Sequence, residues 1–126
     1  MTRLRSASPY LLAALLTGAG ATHFLSPQTY DALIPSFLPD PRAWTYASGI
    51  AEVVLAGGLV APSTRTRAAW ATAGLFVLVF PANVQMALDA HSSGARALAY
   101  ARLPLQVPLV LWALQVRRAA APTPVR

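Results

Sequence analysis

Residues 44–61, WTYASGIAEVVLAGGLVA, decide how the chain is read. The stretch is apolar almost throughout, and at about 1.5 Å per helical residue it crosses most of a bilayer. One ionisable side chain, Glu52, sits near its middle. A carboxylate at membrane depth costs on the order of 2–3 kcal/mol, and more without a partner. Glu52 is therefore expected to face protein or water, and the rest of the chain to supply helices that bring it polar neighbours.

The composition points the same way. Of 126 residues, 56% are hydrophobic and 11% charged, against roughly 25% charged in soluble domains. Mean hydropathy is +0.48. The length suits a single domain, expected over residues 1–118. The net charge of +6 comes from ten basic residues, all arginine, at the ends of apolar runs. Nucleic-acid binding needs a basic face on a solvated domain, so the expected partner is the lipid bilayer and not nucleic acid. The absence of cysteine excludes thiolate nucleophiles, disulfide exchange, Fe–S clusters and thiolate zinc sites.

On the N-terminal side, Ser8-Pro9 reads as a helix cap followed by proline at the first helical position. It opens a first span over residues 9–25, on which Ala14, Gly18 and Thr22 share a face that would admit a close neighbour. Arg3, Arg5, the apolar run and Gly18-Ala19-Gly20-Ala21 also fit a signal peptide, whose removal would take His23 away. Between the first two spans, Ser26-Pro27 starts a short helix expected to reach Leu33 or Ile34. Pro35, Pro39 and Pro41 then forbid regular helix. Tyr30, Phe37 and Leu38 give that segment an apolar side suited to the membrane interface.

Within the second span (residues 44–61), Trp44 and Tyr46 are interfacial anchors. Thr45, Ser48, Glu52 and Ala56 form one small-or-polar stripe. A basic connection leads to the third span, residues 68–88, which Pro81 interrupts just before Asn83 and Gln85. The fourth span, residues 98–116, carries Arg102 and Gln106 one turn apart, then Arg117-Arg118. Residues 119–126 are expected to be a disordered tail. The expected fold is all-α, a four-transmembrane-helix bundle with a short interfacial helix and a Pro-rich loop between helices 1 and 2.

Four spans put both termini on one side, together with seven of the ten arginines. The positive-inside rule makes that side cytoplasmic, in a multi-pass protein of a bacterial-type cytoplasmic (inner) membrane. His23, Tyr46, Glu52, Asn83, Arg102 and Gln106 then all fall in the outer half. Arg102 is the expected counter-charge for Glu52, with the other four supplying the hydrogen bonds that a low-dielectric pair needs. Such a cluster reads as a clasp fixing helix register, as a pocket for a small polar head group or quinone ring, or as a proton path. No metal site is expected, because His91 lies in a loop and Glu52 is too deep to share its shell.

Several stretches resemble the DoxX-like family of small membrane proteins. They are Gly20-Ala21-Thr22-His23-Phe24 with Pro27, Tyr30, Ile34-Pro35 and Leu38-Pro39, then Tyr46-x-x-Gly49-x-x-Glu52, Phe80-Pro81-Ala82-Asn83 and Arg102-Leu103-Pro104-Leu105-Gln106. The resemblance runs from about Leu11 to Trp112. It implies a four-helix membrane bundle, mostly of unassigned activity. Named members are linked to quinone-coupled sulfur oxidation, as small subunits of a thiosulfate:quinone oxidoreductase or quinol oxidase, and to membrane complexes handling oxidative stress. Thiol-handling branches would use cysteines, which this chain lacks.

The expected function is that of an accessory or scaffold membrane protein, in a membrane redox complex or a homo-oligomer, with a polar pocket in its outer half. The alternative is a quinone-interacting redox subunit. In it Glu52 would exchange the quinol proton, Arg102 would stabilise the developing anion, and His23 or Tyr46 would bond the ring oxygen. A small transporter is third, since no inverted repeat is detectable.

Overall fold

A computed structural model describes residues 2–121; Met1 and residues 122–126, the last part of the expected tail, lie outside the described residues. Helices account for all regular structure among the described residues: α1 (Thr2–Leu25), α2 (Pro27–Asp31), α3 (Pro41–Val60), α4 (Arg65–Leu78), α5 (Phe80–Leu88) and α6 (Ser93–Ala120). The segments Pro41–Val60, Arg65–Leu88 and Ser93–Ala120, of 20, 24 and 28 residues, are long and apolar enough to cross a membrane. At the helical rise they measure about 30–42 Å, against about 30 Å of bilayer hydrocarbon. Their outward faces carry Ile50, Val54, Leu78, Leu105, Val107 and Leu111, all exposed. That is the inverse of a soluble helix, whose outer face is polar.

The rods pack in two pairs. α1 lies along α3, and α4–α5 lies along α6; α3 against α4 and a narrower α1–α6 contact join the pairs. The main core is built from Leu12, Leu16, Ala56, Leu59, Ala69, Ala73, Phe76, Ala113 and Val116. Alanines dominate it, so the helix axes come close and dispersion contacts replace bulky side chains. This core sits where the middle of α1, the end of α3, the body of α4 and the last third of α6 meet. Polar ties flank this core toward the start of α1, the start of α4 and the end of α6. Trp112 Nε1 donates to Ser8 Oγ at 2.8 Å and Arg65 Nε to the Leu59 carbonyl at 2.7 Å. The Arg117 guanidinium lies 4.7 Å from the centre of the Trp70 ring.

Several boundaries differ from expectation. α1 begins at Thr2 and runs through Pro9. Proline removes one backbone bond to the preceding turn, and Ser8, expected as the cap, spends its hydroxyl on Trp112 instead. Ala14, Gly18 and Thr22 face outward; the packed face of α1 is Leu12, Ala13, Leu16, Gly20 and His23. α2 stops at Asp31, short of Leu33. α3 starts at Pro41, capped by Asp40, which adopts a left-handed φ of 49° and accepts from the Ala43 amide. The rod formed by α4 and α5 breaks at Val79, two residues before Pro81 and in line with the expected interruption. α6 is helical to Ala120 and so includes the first residues of the expected tail.

Candidate functional site

The close approach of α1 and α3 begins at two glycines. A Cβ added to Gly20 would stand 2.9 Å from the Gly49 carbonyl oxygen, and one added to Gly49 would stand 2.8 Å from His23 Cβ. Backbone therefore meets backbone here. His23 is three residues beyond Gly20 on α1 and Glu52 three beyond Gly49 on α3. Both side chains land inside this contact, 10% and 11% exposed, with His23 Nδ1 3.1 Å from Glu52 Oε2.

The protons of this pair follow from the geometry. Nδ1 also lies 2.7 Å from the Ala19 carbonyl oxygen, an acceptor only, so Nδ1 must carry hydrogen and donate to it. Glu52 Oε2 is thereby left buried without a well-aligned hydrogen bond among the described residues. Tyr30 closes the pair from the loop side, its ring stacked on the imidazole with centroids 3.7 Å apart and planes 20° apart. The Tyr30 hydroxyl is bonded to that of Thr22. The result is an acid–base couple enclosed by α1, α3 and α2, in which one carboxylate oxygen retains unused capacity.

The loop is held by a second acid. Asp31 accepts from Thr45 Oγ1 at 2.7 Å through one oxygen and from Arg42 Nε at 2.8 Å through the other. The Thr45 hydroxyl and, after it, the Arg42 guanidinium hold the Asp31 carboxyl below its ordinary value. Trp44 Nε1 donates to the Pro39 carbonyl at 2.9 Å. Sequence reasoning assigned none of these ties. Asp31 is fourteen residues from Thr45, and nothing in the local pattern signals that distance.

A separate polar link joins the other helix pair. Asn83 Nδ2 donates to Gln106 Oε1 at 3.0 Å, and Gln106 Nε2 donates to the Phe76 carbonyl. Phe76 lies just before the break at Val79, where Pro81 disturbs the backbone ladder. Gln106 of α6 thus satisfies a carbonyl of the broken rod.

The six candidate residues accordingly divide. His23 and Glu52 form one couple, and Asn83 and Gln106 another. Tyr46 stacks on Phe24 with centroids 5.4 Å apart, near the rim. Arg102 does not reach Glu52: its Nη1 donates to Met86 Sδ at 3.8 Å. The expected Glu52–Arg102 pair is replaced by Glu52–His23 because α3 packs on α1, whereas α6 packs on α4–α5. The residue set of the quinone reading is divided by the same arrangement, since the proposed anion stabiliser faces a thioether on another helix pair.

A family model described as Domain of unknown function (DUF8561) matches residues 12–117. No curated protein and no solved structure matches the chain.

Proposed function

The chain belongs to the DUF8561 family, and from that premise we propose that it is a non-catalytic accessory protein of the bacterial-type inner membrane. In this reading it crosses four times, with α1 as the fourth crossing, and both termini are cytoplasmic. The single observation that carries it is the enclosed His23–Glu52 couple, at 3.1 Å, on two helices in glycine-mediated contact. A carboxylate is kept at that depth only where it is used or compensated. The couple is the functional centre, recognising a polar group of a partner subunit, of a second copy or of a small head group. The resemblance to DoxX-like proteins supports an accessory role of this kind.

Two experiments test the reading. Full-length protein purified in mild detergent is analysed by mass spectrometry for co-purifying small molecules and partner subunits, beside Glu52→Gln. Loss of a companion in the variant is the expected result; identical companions and assembly in both overturn the role of the couple. Topology is read with single cysteines at Ser6, Ser36 and Ser93, which need no background removal because the chain has no cysteine. An impermeant maleimide added to intact cells is expected to label positions 36 and 93 and spare position 6. Any other pattern overturns the four-crossing arrangement.

A further inference from the structure

At the end of the molecule remote from the His23–Glu52 couple, a cavity of about 300 Å³ lies between the start of α1, the start of α4 and the end of α6. Its polar lining includes Arg5, Ser6, Ser8, Tyr10 and Arg65, and its apolar wall includes Pro9 and Val116. The volume is at the lower bound of small-molecule sites, about 300–1,000 Å³.

Charge is the first argument. The chain has four acidic side chains, Asp31, Asp40, Glu52 and Asp89, all within residues 31–89. Among the described residues the two ion pairs, His23–Glu52 and Arg42–Asp31, are both at the opposite end. Arg5 and Arg65 therefore face the cavity with no carboxylate within ion-pair distance among the described residues, and Arg3, Arg67, Arg117 and Arg118 sit on the same helix ends. Guanidinium groups without a carboxylate partner around a recess create a positive field that favours an anion from outside.

The donor inventory is the second. Arg65 is pre-oriented: Nε donates to the Leu59 carbonyl, and Nη2 donates to the Val60 carbonyl at 2.8 Å and to Tyr10 Oη at 3.3 Å. Its Nη1 amino group is left without an acceptor among the described residues. Tyr10 accepts from Arg65, and Ser8 accepts from Trp112 Nε1, so each hydroxyl retains its own hydrogen to donate. The cavity thus presents two cations and two hydroxyl donors, and the fold fixes one of those cations. This is the complement of a tetrahedral oxyanion, for which arginine is well suited.

We propose that this cavity binds a phosphate group, either the phosphodiester of an anionic phospholipid or a free phosphate. The apolar wall of Pro9 and Val116 beside the donors suits a headgroup whose acyl chains continue along α1 and α6. A basic recess between helices at the end of a membrane bundle is a common form of anionic-lipid site. The site is independent of the His23–Glu52 couple, and the two readings fail separately.

The test is native mass spectrometry of the full chain released from mild detergent with added phosphatidylglycerol or phosphatidylcholine, with inorganic phosphate as competitor. Preferential retention of phosphatidylglycerol, weakened roughly tenfold in Arg5→Gln through loss of a charge-assisted bond, is the expected result. Tyr10→Phe, which keeps the ring and removes the hydroxyl, is expected to weaken it as well. Thermal stabilisation by inorganic phosphate without lipid preference, lost in Arg5→Gln, would identify free phosphate as the source and still support the site. Equal retention of both lipids with no response to phosphate, or retention unchanged in both variants, overturns the proposal.

Discussion

Gly20 and Gly49 stand backbone to backbone, so near that a single methyl group on Gly20 would lie 2.9 Å from the Gly49 carbonyl oxygen. The α1–α3 pair has no slack at this point. The contact obstructing Gly20 is in part backbone, which cannot rotate aside. Gly20→Ala and Gly49→Ala are each expected to destabilise the protein by roughly 1–3 kcal/mol, the usual cost of overpacking. Gly18→Ala meets nothing within 4 Å and is expected to be neutral. Thermal unfolding of the three variants in one detergent checks the contrast.

The couple these glycines bring together should show strong coupling. His23→Phe keeps an aromatic ring against Tyr30 but leaves Glu52 buried without its base. A loss of roughly 3 kcal/mol is expected from such an unpaired charge. Adding Glu52→Gln should recover most of it, because an amide tolerates the site better than a lone carboxylate. A double-mutant cycle on unfolding free energies measures the interaction. Additive losses would show that the two side chains do not act as a unit.

Gln106 is expected to matter more than its place on a largely apolar helix suggests. Gln106→Leu removes the donor to the Phe76 carbonyl and the acceptor for Asn83, leaving two polar groups unpaired at roughly 1–3 kcal/mol each. Gln106→Leu with Asn83→Leu removes one of those orphans and should cost less than Gln106→Leu alone. Helical content and melting temperature in detergent report the order of the two variants.

Acid should loosen the loop before the helices. The Asp31 carboxyl is held below its ordinary value by Thr45 and Arg42. Its contribution to loop docking is therefore full above the unfolded carboxylate value of about 3.9 and is lost as pH falls through the lower folded value. The ¹⁹F resonance of fluorotryptophan at position 44, whose indole bonds the Pro39 carbonyl, is expected to shift in that acidic window. Asp31→Asn should remove the dependence. A Trp44 signal that titrates unchanged in Asp31→Asn would assign the transition to another group.

Much of this architecture is legible along the chain and little of it across the chain. Long apolar runs, the prolines around the loop and the basic connection locate the helices, because each is a local consequence of hydropathy or of a missing amide hydrogen. Position along each helix is legible too, since rise per residue is fixed, and His23 and Glu52 do meet. Lateral adjacency is another matter. Arg102 and His23 are both bases in the outer half by that reckoning, and nothing local says which of them faces Glu52. The deciding contact is Gly20 against Gly49, between residues twenty-nine apart whose small size suits many partners. The outward-facing Ala14, Gly18 and Thr22 stripe offered the same small-residue pattern on the wrong side of α1.

The separation of carboxylates from the arginine-rich end makes the molecule electrically polar along its long axis. In an energised membrane, negative inside, each elementary charge moved across the full potential is worth about 2.3 kcal/mol per 100 mV. In the topology proposed above, reversing this chain would carry its clustered guanidinium groups uphill in that field. If the proposed topology holds, the membrane potential itself would help to keep the protein the right way up, and collapsing it during insertion would be felt first as inverted copies.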